Sequence, residues 1–223
     1  MMEVIPAINC EDFACVQKHL EMLKNIPAEW VHFDVSDGTF NPARTWNEPE
    51  DLISDFGFRI SDFSLEAHLM VREPVQYVER WVRAGARRVL VQVEVLNENT
   101  FREIEMLRRQ DIDISRRQDV ELGLVLNPET PVETVFPYLD KIRFVQLLAV
   151  TPGFSGQKFQ ENVLEKIRTL RARDPHVIIE ADGGITLDVA GRVKEAGANV
   201  LVSSSYIWNS SNSKEAFRTL QEV

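Results

Sequence analysis

Apolar, β-branched runs recur along the chain at near-regular intervals. The first four are EVIPAI at 3–8, WVHFDV at 30–35, SLEAHLMV at 64–71 and RVLVQVEV at 88–95. The second half continues with ELGLVLN at 121–127, FVQLLAV at 144–150, HVIIEAD at 176–182 and NVLVSSS at 199–205. Between them the period changes. Phe13, Val16, Leu20 and Leu23, then PVQYVERWVRAG at 74–85, then ENVLEKIRTLRA at 161–172, place apolar residues at steps of three and four, the mark of amphipathic helices. AGARRVLV at 84–91 and AGANVLV at 196–202 resemble one another, each with a glycine suited to ending a helix just before a strand.

Strands alternating with helices predict a parallel sheet. Eight such units in 223 residues predict an α/β fold, a single-domain (β/α)8 barrel over 1–223. The first strand is not followed by G-x-G-x-x-G, which argues against an open doubly wound sheet. One segment breaks the rhythm: RRQDIDISRRQDV at 108–120 repeats RRQD between the fourth helix and the fifth strand. It reads as a solvated charged loop on the face opposite the usual active site.

Composition narrows the function. Hydrophobic residues make up 44% and charged residues 27%, near the globular average. No apolar run approaches the length of a membrane span, and MMEVIPAINC has no basic segment of the secretory type. Cys10 and Cys15 lie in one strand–helix junction, which is no disulfide framework and fits a reducing cytoplasm. A net charge of −10 opposes nucleic-acid binding. A small anion needs only a local nest of backbone N–H groups, so that class of substrate stays open. A homo-oligomer is compatible with the sequence but not specified by it.

In this fold active sites form at the C-terminal ends of the strands. The second strand carries His32 and Asp34 two positions apart, hence on one face. The third ends with His68 in EAHLMV and the seventh with Asp182 in IEADGGI. The other two histidines, His19 in a helix and His176 at a strand's start, are placed differently. A lone histidine in an apolar strand is ordinarily a satisfied core residue. Two imidazoles and two carboxylates at equivalent heights instead suit a divalent transition metal with open positions for substrate. TPGFSGQKF at 151–159, with Gly153, Ser155 and Gly156, follows the sixth strand as a mobile loop. Gly183 and Gly184 after the seventh strand, and Ser204 and Ser205 at the end of the eighth, fall where such barrels hold phosphate on backbone N–H groups.

With these residues the chain resembles the ribulose-phosphate 3-epimerase family, whose relatives include epimerases of hexulose 6-phosphates such as allulose 6-phosphate. The match runs through PAINCEDF, HFDVSDGTF, EAHLMV, LVLNPETP, PGFSGQKF, EADGGI and EAGANVLV over nearly the whole chain. The resemblance implies one divalent cation held by His32, Asp34, His68 and Asp182, with zinc, iron, manganese and cobalt all compatible with mixed imidazole–carboxylate ligation. It further implies a 1,1-proton transfer at C3 of a ketose phosphate, with Asp34 and Asp182 as the acid/base pair and D-ribulose 5-phosphate as the first substrate to expect. Asp37 is expected to form the turn. EAHLMVRE lacks the D-x-K-x-x-D pattern of related decarboxylating barrels.

The pocket departs from the family pattern. Ala7 stands for a serine and Asn9 for a leucine, so Asn9 is expected to hydrogen-bond the substrate. Of three shielding methionines only Met70 remains, with Ser36 and Leu148 at the other positions, and Ser36 is expected to leave space. Gln92 and Gln146 replace a histidine and a leucine and are expected to bond each other inside the barrel. Ser204 replaces a glycine at the phosphate end. These changes leave two alternatives: a hexulose-6-phosphate 3-epimerase, and a barrel that binds a sugar phosphate without turnover.

Overall fold

All eight apolar runs form strands in the computed structural model, which describes residues 1–54, 63–107 and 120–223. They are β1 (Glu3–Ile8), β2 (Trp30–Ser36), β3 (Ser64–Met70), β4 (Ala86–Gln92), β5 (Glu121–Leu126), β6 (Phe144–Leu148), β7 (Ile178–Asp182) and β8 (Val200–Ser203). Each pairs in parallel with the next, and β8 closes on β1, giving one eight-stranded barrel. The helices are α1 (Phe13–Leu23), α2 (Glu50–Ser54), α3 (Pro74–Arg83), α4 (Glu98–Leu107), α5 (Asn162–Arg173), α6 (Leu187–Ala196), α7 (Ser205–Trp208) and α8 (Ser213–Gln221). The repeated AGA segments end helices as expected: Gly85 and Gly197 take φ of +99° and +114°, where a Cβ would be strained.

Two elements differ from the pattern. The fourth apolar run leaves the sheet at Gln92 and turns through the 3-10 segment Val93–Val95. The β5–β6 connection carries a 3-10 segment, Val132–Tyr138, where a full α-helix would complete the repeat. Pro137 lies inside it and lacks the N–H that an α-helical ladder would use. The RRQD repeat lies outside the described residues but for its last residue, Val120. No helix of the described residues is long and apolar enough to cross a membrane.

The core has two parts. A large cluster fills the space between barrel and helices, with Phe33, Leu69, Trp81, Ile104, Ile167 and Phe217 fully buried. A smaller one lies inside the barrel: Ile5, Leu90, Val125, Phe144, Val200 and Val202, with Trp30 and Ile178 against it. Arg88 closes that interior from below, its guanidinium 4.2 Å from the Trp30 ring centre and 3.7 Å from that of Phe144. The expectation for the cysteines is overturned: Cys10 and Cys15 are bonded to each other. The strand-to-helix turn brings their Cα atoms to 5.7 Å, within disulfide reach, a proximity that cysteine counting does not register.

Candidate active site

Strand register assembles the site. Asp34 pairs with His68 across β2–β3, and Asp182 pairs with Leu148 and Val202 across β6–β7 and β7–β8. His32 lies two residues before Asp34 on the same inward face, so all four polar groups point to one place. His68 Nδ1 is 3.0 Å from Asp34 Oδ1 and 4.0 Å from Asp182 Oδ2, and His32 Nε2 is 3.4 Å from Asp34 Oδ1. One ligand atom from each of the four lies within 4.8 Å of all the others.

The surroundings prepare both imidazoles as ligands. His32 Nδ1 stands 2.6 Å from Glu66 Oε1. An ionised carboxylate only accepts, so Nδ1 carries a proton and, once the ring is neutral, Nε2 is the nitrogen left with a lone pair. That Nε2 is buried without a hydrogen-bond partner, the kind of orphan a cation satisfies. His68 uses the other nitrogen. Its Nε2 lies 2.8 Å from the Gln92 amide, whose Oε1 is buried without a partner. With the amide turned to present Oε1, Gln92 accepts from Nε2–H and leaves the Nδ1 lone pair toward the carboxylates. The donor set therefore fits one divalent transition metal, with one nitrogen from each histidine and one oxygen from each aspartate.

Electrostatics separates the two aspartates. Burial, and then the charge of Asp34, push the Asp182 carboxyl up to about 7 against the charge of His32 and hydrogen bonding from Gln146. Burial also opposes charge on Asp34, but without a metal, protons on the ring nitrogens of His32 and His68 that face it outweigh burial and hold that carboxyl well below the usual range. Two neighbouring carboxyl groups with opposite proton affinities can divide the roles of acid and base.

Above this centre opens a cleft of about 520 Å³, continuous with solvent. Asp34, His68 and Asp182 form its floor, and Ala7, Asn9, Met70 and Leu148 its walls. Gly153, Ser155 and Gly156 cover one side, and Gly183, Gly184, Ser204 and Ser205 the other. His32 and Ser36 are fully buried and do not line it.

Comparison with known proteins agrees with this geometry. The model of the ribulose-phosphate 3-epimerase family matches residues 3–208. The ribulose-phosphate 3-epimerase of Bacillus subtilis (strain 168) is 34% identical over 99% of this chain and 99% of its own. The cytoplasmic isoform from Oryza sativa subsp. japonica is 33% identical over 99% of this chain and 93% of its own. The chain belongs to the ribulose-phosphate 3-epimerase family. It is an epimerase-type isomerase acting on carbohydrates. Among solved structures, 3-hexulose-6-phosphate synthase from Salmonella typhimurium superposes with a TM-score of 0.73 at 12% identity, covering 99% of this chain and 97% of that one. KGPDC from Streptococcus mutans gives 0.71 at 13%, covering 100% and 96%. At those identities the likeness is one of fold.

Several residues of this epimerase-family site sit differently from expectation. Gln92 and Gln146 do not bond each other: Gln92 meets His68, and Gln146 Nε2 donates to Asp182 Oδ2 at 2.8 Å. Asn9 Nδ2 donates to Asp34 Oδ2 at 3.0 Å and to the Gly153 carbonyl at 3.3 Å. Ser36 leaves no space, because the Asn41 amide fills it, donating to Ser36 Oγ at 3.1 Å and lying 3.5 Å from Met70 Sδ. Asp37, by contrast, forms the turn as expected, with Oδ1 accepting from the Thr39 N–H and Oδ2 from the Tyr77 hydroxyl.

A deeper charged layer escapes the motif reading. Glu66 Oε2 accepts from Arg88 at 2.6 Å, and Glu180 lies beside His32 and Glu66 with both oxygens unpartnered. Burial, and then the charge of Glu66, push the Glu180 carboxyl well up. Glu66 and Glu180 each precede a site residue, His68 and Asp182, by two positions. The same period-two rule that joins His32 to Asp34 finds them.

Proposed function

We propose that this enzyme interconverts D-ribulose 5-phosphate and D-xylulose 5-phosphate by proton transfer at C3, with one divalent cation held by His32, Asp34, His68 and Asp182. The observation that carries this reading is the Asp34–Asp182 pair, two carboxyl groups brought from different strands to the floor of one cleft beside two imidazoles. Inverting C3 requires a proton to leave one face of the carbon and another to arrive on the opposite face. Asp34 and Asp182, on different strands, suit the base on one face and the acid on the other; the roles exchange in the reverse direction. The cation, when bound, supplies Lewis-acid stabilisation of the negative charge that develops on the substrate oxygens.

The chain's other residues position and enclose. Gln146 orients Asp182, and Asn9 orients Asp34 while facing the cleft. Met70 and Leu148 present apolar surface to the planar intermediate and exclude water from it. Gly183, Gly184, Ser204 and Ser205 offer backbone N–H groups to the phosphate. The filled space beside Ser36 supports a pentulose over a hexulose phosphate. The complete ligand set supports turnover over binding alone. A cytoplasmic site of action belongs to the same reading, supported by the cytoplasmic rice relative.

Solvent-deuterium incorporation at C3 of ribulose 5-phosphate tests it, with metal-loaded and chelator-treated protein side by side. Metal-dependent exchange accompanied by xylulose 5-phosphate is expected. Asp34→Asn and Asp182→Asn should each lower turnover by about 10²–10⁴-fold, with metal content measured to separate lost ligation from lost proton transfer. No exchange by fully metallated protein rejects this substrate, and exchange on a hexulose 6-phosphate instead would reassign it.

A further inference from the structure

Beside the cleft lies a second reactive cluster, formed by Cys10, Cys15 and His19. The two sulfurs are bonded, and His19 Nδ1 stands 3.3 Å from Cys10 Sγ and 3.7 Å from Cys15 Sγ. The same Nδ1 is 2.9 Å from the Cys15 carbonyl oxygen. A carbonyl only accepts, so Nδ1 bears the proton, and its one N–H is shared between that carbonyl and the nearer sulfur, on Cys10. The sulfurs are unequal. Cys10 is 4% exposed at the end of the first strand, whereas Cys15 is partly exposed in the first turn of α1.

Thiol–disulfide exchange needs one accessible sulfur to attack and one stabilised sulfur to leave. Here Cys15 is the more exposed residue, and the sulfur of the sheltered Cys10 is the one nearer His19 Nδ1. We propose that Cys10–Cys15 is a redox-active disulfide, opened in the folded protein by a dithiol that attacks the Cys15 sulfur while His19 holds the departing Cys10 thiolate. A thiolate of the dithiol bonds to Cys15 Sγ, the Cys10–Cys15 bond breaks, and its electron pair stays on Cys10 Sγ. The dithiol's second sulfur then displaces Cys15 and closes the dithiol into its own disulfide. Two electrons pass to the protein, and two protons, matching those lost by the dithiol, leave Cys10 and Cys15 as thiols.

The position gives this exchange a path to the cleft. Cys10 directly follows Asn9, whose amide holds Asp34 and the Gly153 carbonyl. His19 packs edge-on against Trp208 at 4.9 Å, on the short helix that begins at Ser205. Trp208 Nε1 in turn donates to the Ala7 carbonyl at 2.6 Å.

The test counts thiols and does not depend on turnover, so its failure leaves the epimerase reading untouched. Full-length folded protein is equilibrated with graded mixtures of reduced and oxidised dithiothreitol, quenched in acid and labelled with maleimide-polyethylene glycol. Two thiols are expected to appear together and reversibly, with the circular-dichroism spectrum unchanged. His19→Phe should slow the reduction about tenfold, through loss of leaving-group stabilisation. With oxidised glutathione, Cys10→Ser should form a mixed disulfide at Cys15, while Cys15→Ser should keep a free thiol. Two free thiols after treatment with oxidised dithiothreitol, reduction only in denaturant, or a mixed disulfide on Cys15→Ser alone would each overturn the proposal. An unchanged rate in His19→Phe would remove the histidine from it.

Discussion

Gln92 shows how one neutral side chain can set the chemistry of a charged site. With its amide turned so that Oε1 accepts from His68 Nε2–H, it leaves Nδ1 free to bind a cation, as Glu66 does for His32 through the opposite ring nitrogen. Gln92→Leu keeps the volume and removes the acceptor, so His68 is no longer held in the ligating tautomer. Metal affinity should fall about tenfold, read by competition against a chromophoric chelator, with thermal stability changing little. Unchanged affinity would show that the tautomer is set by something other than Gln92. The primary donors were legible in the sequence because His and Asp at strand ends are conspicuous among apolar neighbours. Their supports were not. A glutamine or glutamate inside a strand has two faces to choose from and several partners within reach, and only the barrel's closure decides between them. Gln92 and Gln146 illustrate this: each turns along the layer to its own site residue instead of toward the other.

At the scale of elements, the turn after β7 links the acid/base centre to the segment that covers it. Gly183 and Gly184 take φ of +104° and +66°, and a Cβ on Gly184 would lie 2.4 Å from the Phe159 backbone nitrogen. That closeness seats the end of the 151–159 segment directly on the Asp182 turn, where Gln160 N also bonds the Ala149 carbonyl. Gly184→Ala should therefore destabilise the fold by more than about 1 kcal/mol and lower kcat/KM, because the cover and Asp182 move together. Gly156→Ala is the control: its φ is +80° but nothing lies within 4 Å of a Cβ there. It should carry only the backbone cost, about 1 kcal/mol, in urea titrations of both variants. Equal losses in the two would place the whole effect in φ and none in packing. The strands themselves were readable to within three residues at each end, since parallel strands covered on both sides are written as short continuous apolar runs. The Val132–Tyr138 segment was less readable. Prolines at 131 and 137 mark a break without saying that 3-10 turns bridge it.

Across the whole molecule, the barrel encloses more acid than base. Asp34, Glu66, Glu180 and Asp182 face the interior, with Arg88 beneath them as the one buried Lys or Arg among the described residues. Without a bound metal this excess is relieved by protons. Asp182 keeps its proton up to about 7 against an ordinary value of 3.8, chiefly through burial, and burial raises Glu180 as well. Burial lowers His32, but Asp34 and Glu66 outweigh it and hold the imidazolium well above its usual range. In all three the folded state binds a proton that the unfolded chain releases at lower pH, so stability must fall as pH rises. Asp34 and Glu66, both lowered, contribute fully above their ordinary values and add no slope between pH 5.5 and 8. His68, which burial keeps neutral, opposes the trend only below its ordinary 6.5. Chelator-treated protein should therefore melt lower at pH 8 than at pH 5.5, by at least about 3 °C, the shift that about 1 kcal/mol makes in a chain of this size. Added manganese(II) should raise the melting temperature more at pH 8, where fewer protons must leave before the ligands bind. A metal-free melting temperature that is flat or rises over this range would mean that the interior acids are paired in some way other than by shared protons. The cation would then complete a site already balanced, instead of replacing the protons that hold it together.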